Sequence, residues 1–231
     1  MIYSKLAKLF FGVIFVLEIS MARADLVGHG GMIRDIDLSS DGSQVLTASF
    51  DYSAILWDFV KQKKIGDLEG HLGPVTSVSF VSNNRALTTS DDKSAILWDL
   101  RTQSPVFHLL GHTNKVMSAA ISISRNSVVT GGWDSKVLSW DLSTGILLNK
   151  IELKTPVNSI VFLGNSEKIA IGGHNSSIYI FNYVSGKFFG KLVGHEMAIT
   201  DLSASKDGKR LLSSSIDGSI KLWDVLSFSQ L

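Results

Sequence analysis

Short runs of alternating apolar and polar residues recur along most of the chain and predict β-strands. In the first such stretch the runs are RDIDLS, QVLTASF and SAILWDF, which have the alternation and β-branched content of short antiparallel strands. Turn-forming pairs such as Asp41-Gly42 and Asp207-Gly208 separate the runs. The pattern predicts an all-β fold.

Two dipeptides repeat at a near-constant spacing. Gly-His pairs begin at Gly28, Gly70, Gly111 and Gly194, and each precedes a Trp-Asp pair. Successive tryptophans of these pairs lie 41, 42 and 83 residues apart, and half of the last interval falls on Phe181-Asn182, a degenerate copy. We therefore expect five repeats, marked by His29/Trp57, His71/Trp98, His112/Trp140, Leu153/Phe181 and His195/Trp223.

These markers, over residues 25 to 225, resemble those of the WD-repeat β-propeller family, in its exported bacterial type. The resemblance implies a ring of four-stranded antiparallel blades, in which the outer strand of each blade comes from the start of the next repeat. Five repeats leave two arrangements open, a closed five-bladed ring or an incomplete larger propeller. For closure, we expect Asp25-Leu26-Val27 to supply the outer strand of the last blade.

The first 24 residues have the features of a secretory signal peptide. Lys5 and Lys8 precede an apolar run from Leu9 to Leu17, and Ala22-Arg23-Ala24 follows as a cleavage motif. Nine apolar residues fall short of the roughly 20 that a membrane-spanning helix needs. We expect residues 1–24 to be a cleaved signal, residues 25–231 to form the propeller, and the protein to be periplasmic or secreted, without an integral membrane segment.

Composition narrows the classes of ligand. A net charge of +1 without a lysine or arginine run makes nucleic acid an unexpected partner. The chain has no cysteine, which excludes disulfides, thiolate metal sites and covalent haem through C-x-x-C-H. His108 and His112 have an H-x-x-x-H spacing, but within a strand this spacing does not align two rings on a metal. No metal and no cofactor is predicted.

Each intact repeat carries a histidine, a hydroxyl residue, an acid and a tryptophan at fixed offsets. The four sets are His29, Thr47, Asp51 and Trp57; His71, Thr88, Asp92 and Trp98; His112, Thr130, Asp134 and Trp140; and His195, Ser213, Asp217 and Trp223. A Ser/Thr-His-Asp grouping is also typical of nucleophilic catalysis. An active site is built once, however, whereas this set occurs four times. We expect a hydrogen-bonded structural tetrad, as the family resemblance also implies, and no catalytic residue.

The fourth repeat has Leu153, Ile171, Asn175 and Phe181 at the tetrad positions, so its polar members have largely disappeared together.

The resemblance also implies a protein-binding top face, formed by the third and fifth residues after each histidine and the residue before each turn acid. The positions that we single out are Trp133, Phe50, Met32, Met117, Arg34, Lys115, Asp91, His174 and Ile216. Aromatic, methionine and basic side chains are typical of interface anchors. We expect Trp133 and Phe50 to be exposed in turns, with Trp133 as the main anchor.

The sequence therefore predicts a non-catalytic protein-interaction scaffold outside the cytoplasm, with an unidentified protein partner and self-association if the ring is open. The alternative is an accessory or fragment of an electron-transfer system associated with c-type cytochromes. Because C-x-x-C-H is absent, any haem would lie on another chain.

Overall fold

A computed structural model describes residues 25–231 of the chain. They form twenty β-strands and one short 3-10 helix at Ile123–Arg125. Blade 1 contains β1 Ile33–Leu38, β2 Gln44–Ser49, β3 Ala54–Asp58 and β4 Lys63–Leu68; blade 2 contains β5 Val75–Ser82, β6 Arg85–Ser90, β7 Ser94–Asp99 and β8 Ser104–Leu110. Blade 3 contains β9 Val116–Ser122, β10 Ser127–Gly132, β11 Lys136–Asp141 and β12 Leu147–Glu152. Blade 4 contains β13 Val157–Phe162, β14 Lys168–Gly173, β15 Ser177–Asn182 and β16 Phe188–Val193; blade 5 contains β17 Ile199–Ala204, β18 Arg210–Ser215, β19 Ile220–Asp224 and β20 Ser229–Gln230.

Each blade is a four-stranded antiparallel meander with its strands in chain order. Tight turns join the strands, as in blade 1, where Gly42 has a φ of 71° and donates its N–H to the carbonyl of Ser39. Only a residue that tolerates positive φ fits this position well, which is the reason for an Asp-Gly pair there. The predicted all-β fold of four-stranded blades is confirmed.

The hydrophobic core lies between successive blades. The side chains of Leu46, Ala54 and Leu56 on blade 1 pack against Val78 and Trp98 on blade 2, and similar clusters join blades 2 and 3, 3 and 4, and 4 and 5. Both faces of a middle strand are therefore buried, which explains why a run such as AILW is apolar without alternation. We call the face of a blade that packs on the following blade its front face, and the opposite one its back face.

The outer strand of blade 5 is not formed by the residues that the sequence suggested. β20, at Ser229–Gln230, pairs with β19 through Trp223 and Asp224, whereas residues 25–27 belong to no strand. The expected completion of the last blade by Asp25-Leu26-Val27 is therefore wrong. After Asp224 the chain forms a tight turn, in which the N–H groups of Leu226 and Ser227 donate to the Asp224 carboxylate. This turn places β20 directly beside β19.

No apolar cluster among residues 25–231 joins blade 5 to blade 1. The front face of blade 5 and the back face of blade 1 are both solvent-exposed, with Leu212 and Ile220 on the first and Ile36 on the second. Of the two arrangements that the sequence left open, the structure has the open one: five blades in an arc.

Candidate functional site

A chain of hydrogen bonds runs from the tryptophan to the acid in each intact blade. In blade 1 the Nε1 atom of Trp57 lies 2.8 Å from Oγ1 of Thr47, which lies 2.7 Å from Nε2 of His29. His29 Nδ1 is in turn 2.8 Å from Oδ2 of Asp51. Blades 2, 3 and 5 have the same three contacts at 2.7 to 3.0 Å. The network links the middle strands of a blade to the loop that precedes its inner strand.

The chemistry of the groups fixes the direction of these bonds. An indole N–H only donates, so the Thr47 oxygen accepts it and directs its own proton to Nε2 of His29. The histidine then carries its proton on Nδ1 and donates it to the Asp51 carboxylate. The Thr47 hydroxyl therefore already donates its proton to the histidine, and it is buried beside the indole. Such a hydrogen-bonded network stabilises the blade and does not expose a nucleophile to a substrate.

Two further donors hold the acids of blades 1, 2 and 5, and sequence reasoning named neither of them. The serine two residues after the acid donates its hydroxyl to the carboxylate, as Ser53 does to Asp51 at 2.7 Å and Ser94 to Asp92 at 2.6 Å. The N–H of the residue after the histidine also donates, as Gly30 does to Asp51 at 2.7 Å. A serine at this offset in three of the four intact repeats is the signal that could have revealed the role.

These donors lower the pKa of the tetrad acids. Burial raises the pKa of Asp92, but hydrogen bonds from His71, Ser94 and the N–H of Leu72 outweigh it, so the carboxyl pKa lies well below its ordinary value. Asp134 shows the same balance. Burial lowers the pKa of His112, although Asp134 opposes that shift. The neutral imidazole and ionised carboxylate are therefore the favoured pair at neutral pH.

Blade 4 replaces the network by apolar packing. Ile171 is buried at the position of the hydroxyl residue, in a cluster that also includes Phe181 and Leu153. Asn175, at the position of the acid, donates from Nδ2 to the hydroxyl of Tyr179 over 2.7 Å. The one remaining polar member of the set thus has a local partner.

The top face is the end of the blades that carries the tetrad acids, and Trp133 lies there at the centre of several contacts. Its Nε1 atom donates to Oδ1 of Asn158 over 3.1 Å, and the ring of His174 packs edge-on against the indole at 5.1 Å between centroids. The Nζ atom of Lys115 lies 5.5 Å from the centre of the indole and forms an ion pair with Asp91. Trp133 is half-buried, not exposed as we expected, because these neighbours cover part of it.

The other predicted top-face residues lie on blades 1, 3 and 5. Arg34 lies 5.2 Å above the ring of Phe50, which is exposed, and Met117 is half-buried near the axis of the arc. Met32 and Ile216 are exposed. Leu72, one residue after His71, and Met197, two residues after His195, are also exposed. Sequence analysis did not identify either of them as a top-face residue. The top face therefore combines exposed apolar side chains with cations and carboxylates.

The two histidines of the H-x-x-x-H spacing do not converge. His112 uses both ring nitrogens in its tetrad, and His108 is exposed on the outer strand β8. Within residues 25–231, no three His, Asp or Glu side chains form a cluster that could hold a metal ion. In the same part of the chain, no helix is long and apolar enough to cross a membrane.

Comparison with known proteins identifies the repeat. The family model "WD domain, G-beta repeat" matches residues 22–58, 62–99, 103–141 and 186–224. The matched segments omit the degenerate fourth copy, and the first of them begins three residues before the predicted signal cleavage site.

Among curated proteins, the guanine nucleotide-binding protein subunit beta of Schizosaccharomyces pombe is 38% identical over 215 residues, which are 90% of this chain and 70% of that protein. Protein tipD of Dictyostelium discoideum is 30% identical over 90% of this chain, and autophagy-related protein 16 of Arabidopsis thaliana is 24% identical over 85%. The chain spans 35% and 39% of the length of these two proteins.

Proposed function

Because the chain belongs to the WD-repeat family, we propose that it is a non-catalytic platform that binds another protein through the top face of its blades. WD-repeat proteins are generally non-enzymatic scaffolds that bind proteins. A catalytic site would use the hydroxyls and histidines of the tetrads as its reactive groups. These groups instead form hydrogen bonds with each other and with the buried tryptophans.

The contact set of Trp133 is the observation that carries the proposal. Asn158 and His174, both of blade 4, accept its N–H and pack edge-on against its ring. Lys115, in the loop between β8 and β9, lies over the ring. A large aromatic side chain held in one orientation loses little conformational entropy on binding, so it is a favourable anchor. Met32 and Phe50 on blade 1 and Ile216 on blade 5 add exposed apolar side chains to the same face of the arc.

Site-specific photocrosslinking in the native source tests the proposal. A photoreactive phenylalanine analogue at Phe50 is expected to crosslink one defined protein, and Trp133→Ala is expected to reduce the yield at least tenfold while the circular dichroism spectrum stays unchanged. The matched control places the same analogue at Val184, an exposed apolar residue in the opposite turns. Equal crosslinking from both positions, or a yield that Trp133→Ala leaves unchanged, contradicts the top-face proposal.

Location outside the cytoplasm is a separate part of the proposal. It is supported by residues 1–24 alone, through their lysines, apolar run and Ala-Arg-Ala motif, and these residues lie outside the part of the chain that the structure describes. The N-terminal sequence of the protein purified from its native source is expected to begin at Asp25. A protein that retains the first 24 residues would contradict export by cleavage.

A further inference from the structure

Exposed apolar side chains gather at one outer corner of blades 3 and 4, away from the top face. The turn between the third and fourth strands of a blade lies at the opposite end from the tetrad acid, and the fourth strand is the outer edge. The exposed residues at this corner are Ile146, Leu147, Leu148, Val184 and Phe188, which are between 44% and 62% exposed. We call them the rim patch. Adjacent exposed apolar side chains mark an interaction site.

Contacts between the two blades make the rim patch one surface. Asn149 on β12 donates from Nδ2 to the backbone carbonyls of Tyr183 and Val184, each over 3.0 Å, and so fixes the turn of blade 4 beside the outer strand of blade 3. The ring of Phe188 packs on that of Phe181 at 5.1 Å between centroids. The outer strand of blade 3 and the turn of blade 4 therefore form a continuous corner.

Three lysines of blade 4 lie beside the rim patch. The Nζ atoms of Lys168 and Lys187 lie 4.7 and 5.5 Å from the centre of the same ring, that of Phe189, and Lys191 is exposed on β16. Among residues 25–231, no carboxylate lies within ion-pair distance of any of these three ammonium groups. Two ammonium groups that share one ring concentrate positive charge at this corner.

Of the five described blades, only blade 4 has more basic than acidic residues. It contains three lysines and one acid, Glu167, whose carboxylate is paired with Arg125 of blade 3. Each of the other four blades has at least as many acids as bases. The degenerate repeat explains the difference, because Asn175 replaces the tetrad acid and Asn182 replaces the acid of the Trp-Asp pair. The substitutions that removed the tetrad thus also left this blade positively charged.

We propose that the rim patch attaches the protein peripherally to an anionic membrane surface. On such a surface, exposed apolar side chains enter the boundary between headgroups and acyl chains, and neighbouring lysines lie against the lipid phosphates. Lysines alone would serve to protect an outer strand edge from pairing, but that role does not require exposed Phe188 and Val184 beside them. Protein interfaces are depleted in lysine and enriched in arginine, whereas the unpaired cations here are lysines.

Attachment through the rim patch leaves the top face accessible. The patch lies in and next to the turns at the opposite end of the blades from the tetrad acids. A protein partner could therefore bind near Trp133 while the outer corner of blades 3 and 4 contacts lipid. The two surfaces are independent, so each can be tested without the other.

Flotation with vesicles tests the attachment. The purified protein is expected to float with vesicles of equimolar phosphatidylglycerol and phosphatidylcholine and to bind pure phosphatidylcholine vesicles about tenfold less tightly or worse, because only the first carry negative headgroups. Added salt should weaken the binding by screening. Lys187→Glu combined with Lys191→Glu should weaken it about tenfold or more. The matched control, Lys93→Glu combined with Lys154→Glu, reverses the same number of charges at exposed top-face lysines and should bind as the unmodified protein does.

A tryptophan in the rim patch tests whether the apolar side chains enter the bilayer. Phosphatidylcholine with brominated acyl chains quenches an indole that reaches them, so the emission of Phe188→Trp is expected to fall when such lipids are included in the anionic vesicles. Leu72→Trp, at an exposed apolar residue of the top face, is the matched control and should be quenched no more than the unmodified protein.

Three results would overturn the proposal. The first is absence of flotation with the anionic vesicles, and the second is an equal loss of binding in the two charge-reversal variants. The third is quenching of Leu72→Trp but not of Phe188→Trp, since the top face would then contact the membrane. If a photoreactive group at Phe188 crosslinks a protein in the native source and the purified chain does not bind vesicles, the corner binds a protein and the membrane proposal is wrong.

Discussion

The indole N–H of Trp133 donates to the side-chain oxygen of Asn158 across the boundary between blades 3 and 4. The bond ties the turn before Asp134 to the inner strand of the next blade, so the orientation of the indole depends on how the two blades pack. A partner would therefore meet a preorganised aromatic edge rather than a freely rotating side chain.

Fluorescence quenching tests the accessibility of this indole. The chain has five tryptophans, and the four of the tetrads are buried, so Trp133 alone is open to a quencher among them. Acrylamide should quench one component of the emission strongly, and Trp133→Phe should remove that component. Trp140→Phe serves as the control and should leave the quenchable component in place. A quenching curve that Trp133→Phe does not change would contradict the placement of this residue.

Removal of one tetrad hydroxyl is expected to destabilise the fold. Thr88→Val leaves the indole N–H of Trp98 and the Nε2 atom of His71 without their partner in a buried site. A buried group that loses its partner costs about 1–3 kcal/mol, so the free energy of unfolding from urea denaturation should fall by about that amount. Thr102→Val, at an exposed threonine in a turn, is the matched control and should change it by less than about 0.5 kcal/mol. Equal effects of the two variants would contradict a stabilising network.

The tetrad acids should make stability depend on pH in the acid range. Asp92 has a lower pKa in the folded protein than its unfolded value of about 3.9, so its contribution to stability is complete above that value and is lost as the pH falls toward the folded pKa. The difference in unfolding free energy between the unmodified protein and Asp92→Asn should therefore be largest near pH 6 and shrink below about pH 4. Lys93→Gln, at the neighbouring exposed residue, should leave the pH dependence unchanged. A difference that grows on acidification would contradict the sign of this shift.

Sequence reasoning located the blades and the tetrads because both depend on local, repeated chemistry. Trp98 pairs with Ala86 and Thr88 pairs with Ile96, and in this register the indole N–H of Trp98 reaches the Thr88 hydroxyl diagonally across the two strands. Each intact repeat has its hydroxyl residue and its tryptophan at the same offset. The serine that supports the acid in three of the four intact blades, such as Ser94, was missed because serine is common in turns and occurs many times in the chain.

The closure of the ring could not be predicted in the same way. Asp25-Leu26-Val27 and Ser229-Gln230 are both short segments beside a blade-forming sequence, and which of them pairs with Trp223 depends on the distance between the chain ends in three dimensions. Likewise, the burial of Trp133 depends on Asn158 and His174, which belong to the following repeat. These are long-range contacts that periodicity does not specify.

In blade 4 the histidine, the hydroxyl residue and the tryptophan of the tetrad are all replaced by apolar residues. At its hydroxyl position Ile171 is buried next to apolar groups, whereas Thr88 in blade 2 has an indole and an imidazole as partners. Ile171→Thr would place a hydroxyl where neither partner exists. Burial of an unpaired hydroxyl costs about 1–3 kcal/mol, so this variant should be less stable than Ile171→Val, which removes a methylene group and costs about 0.5–1.5 kcal/mol.

A double-mutant cycle separates the missing partner from the altered packing. Phe181 occupies the tryptophan position of blade 4, so Phe181→Trp in the Ile171→Thr background supplies an indole N–H at the offset found in the other blades. The two substitutions together should cost less unfolding free energy than the sum of their separate costs, because the new donor then meets the new acceptor. If denaturant titrations give additive losses of unfolding free energy, the new indole does not donate to the new hydroxyl in blade 4. The tetrad would then need its histidine as well as its indole.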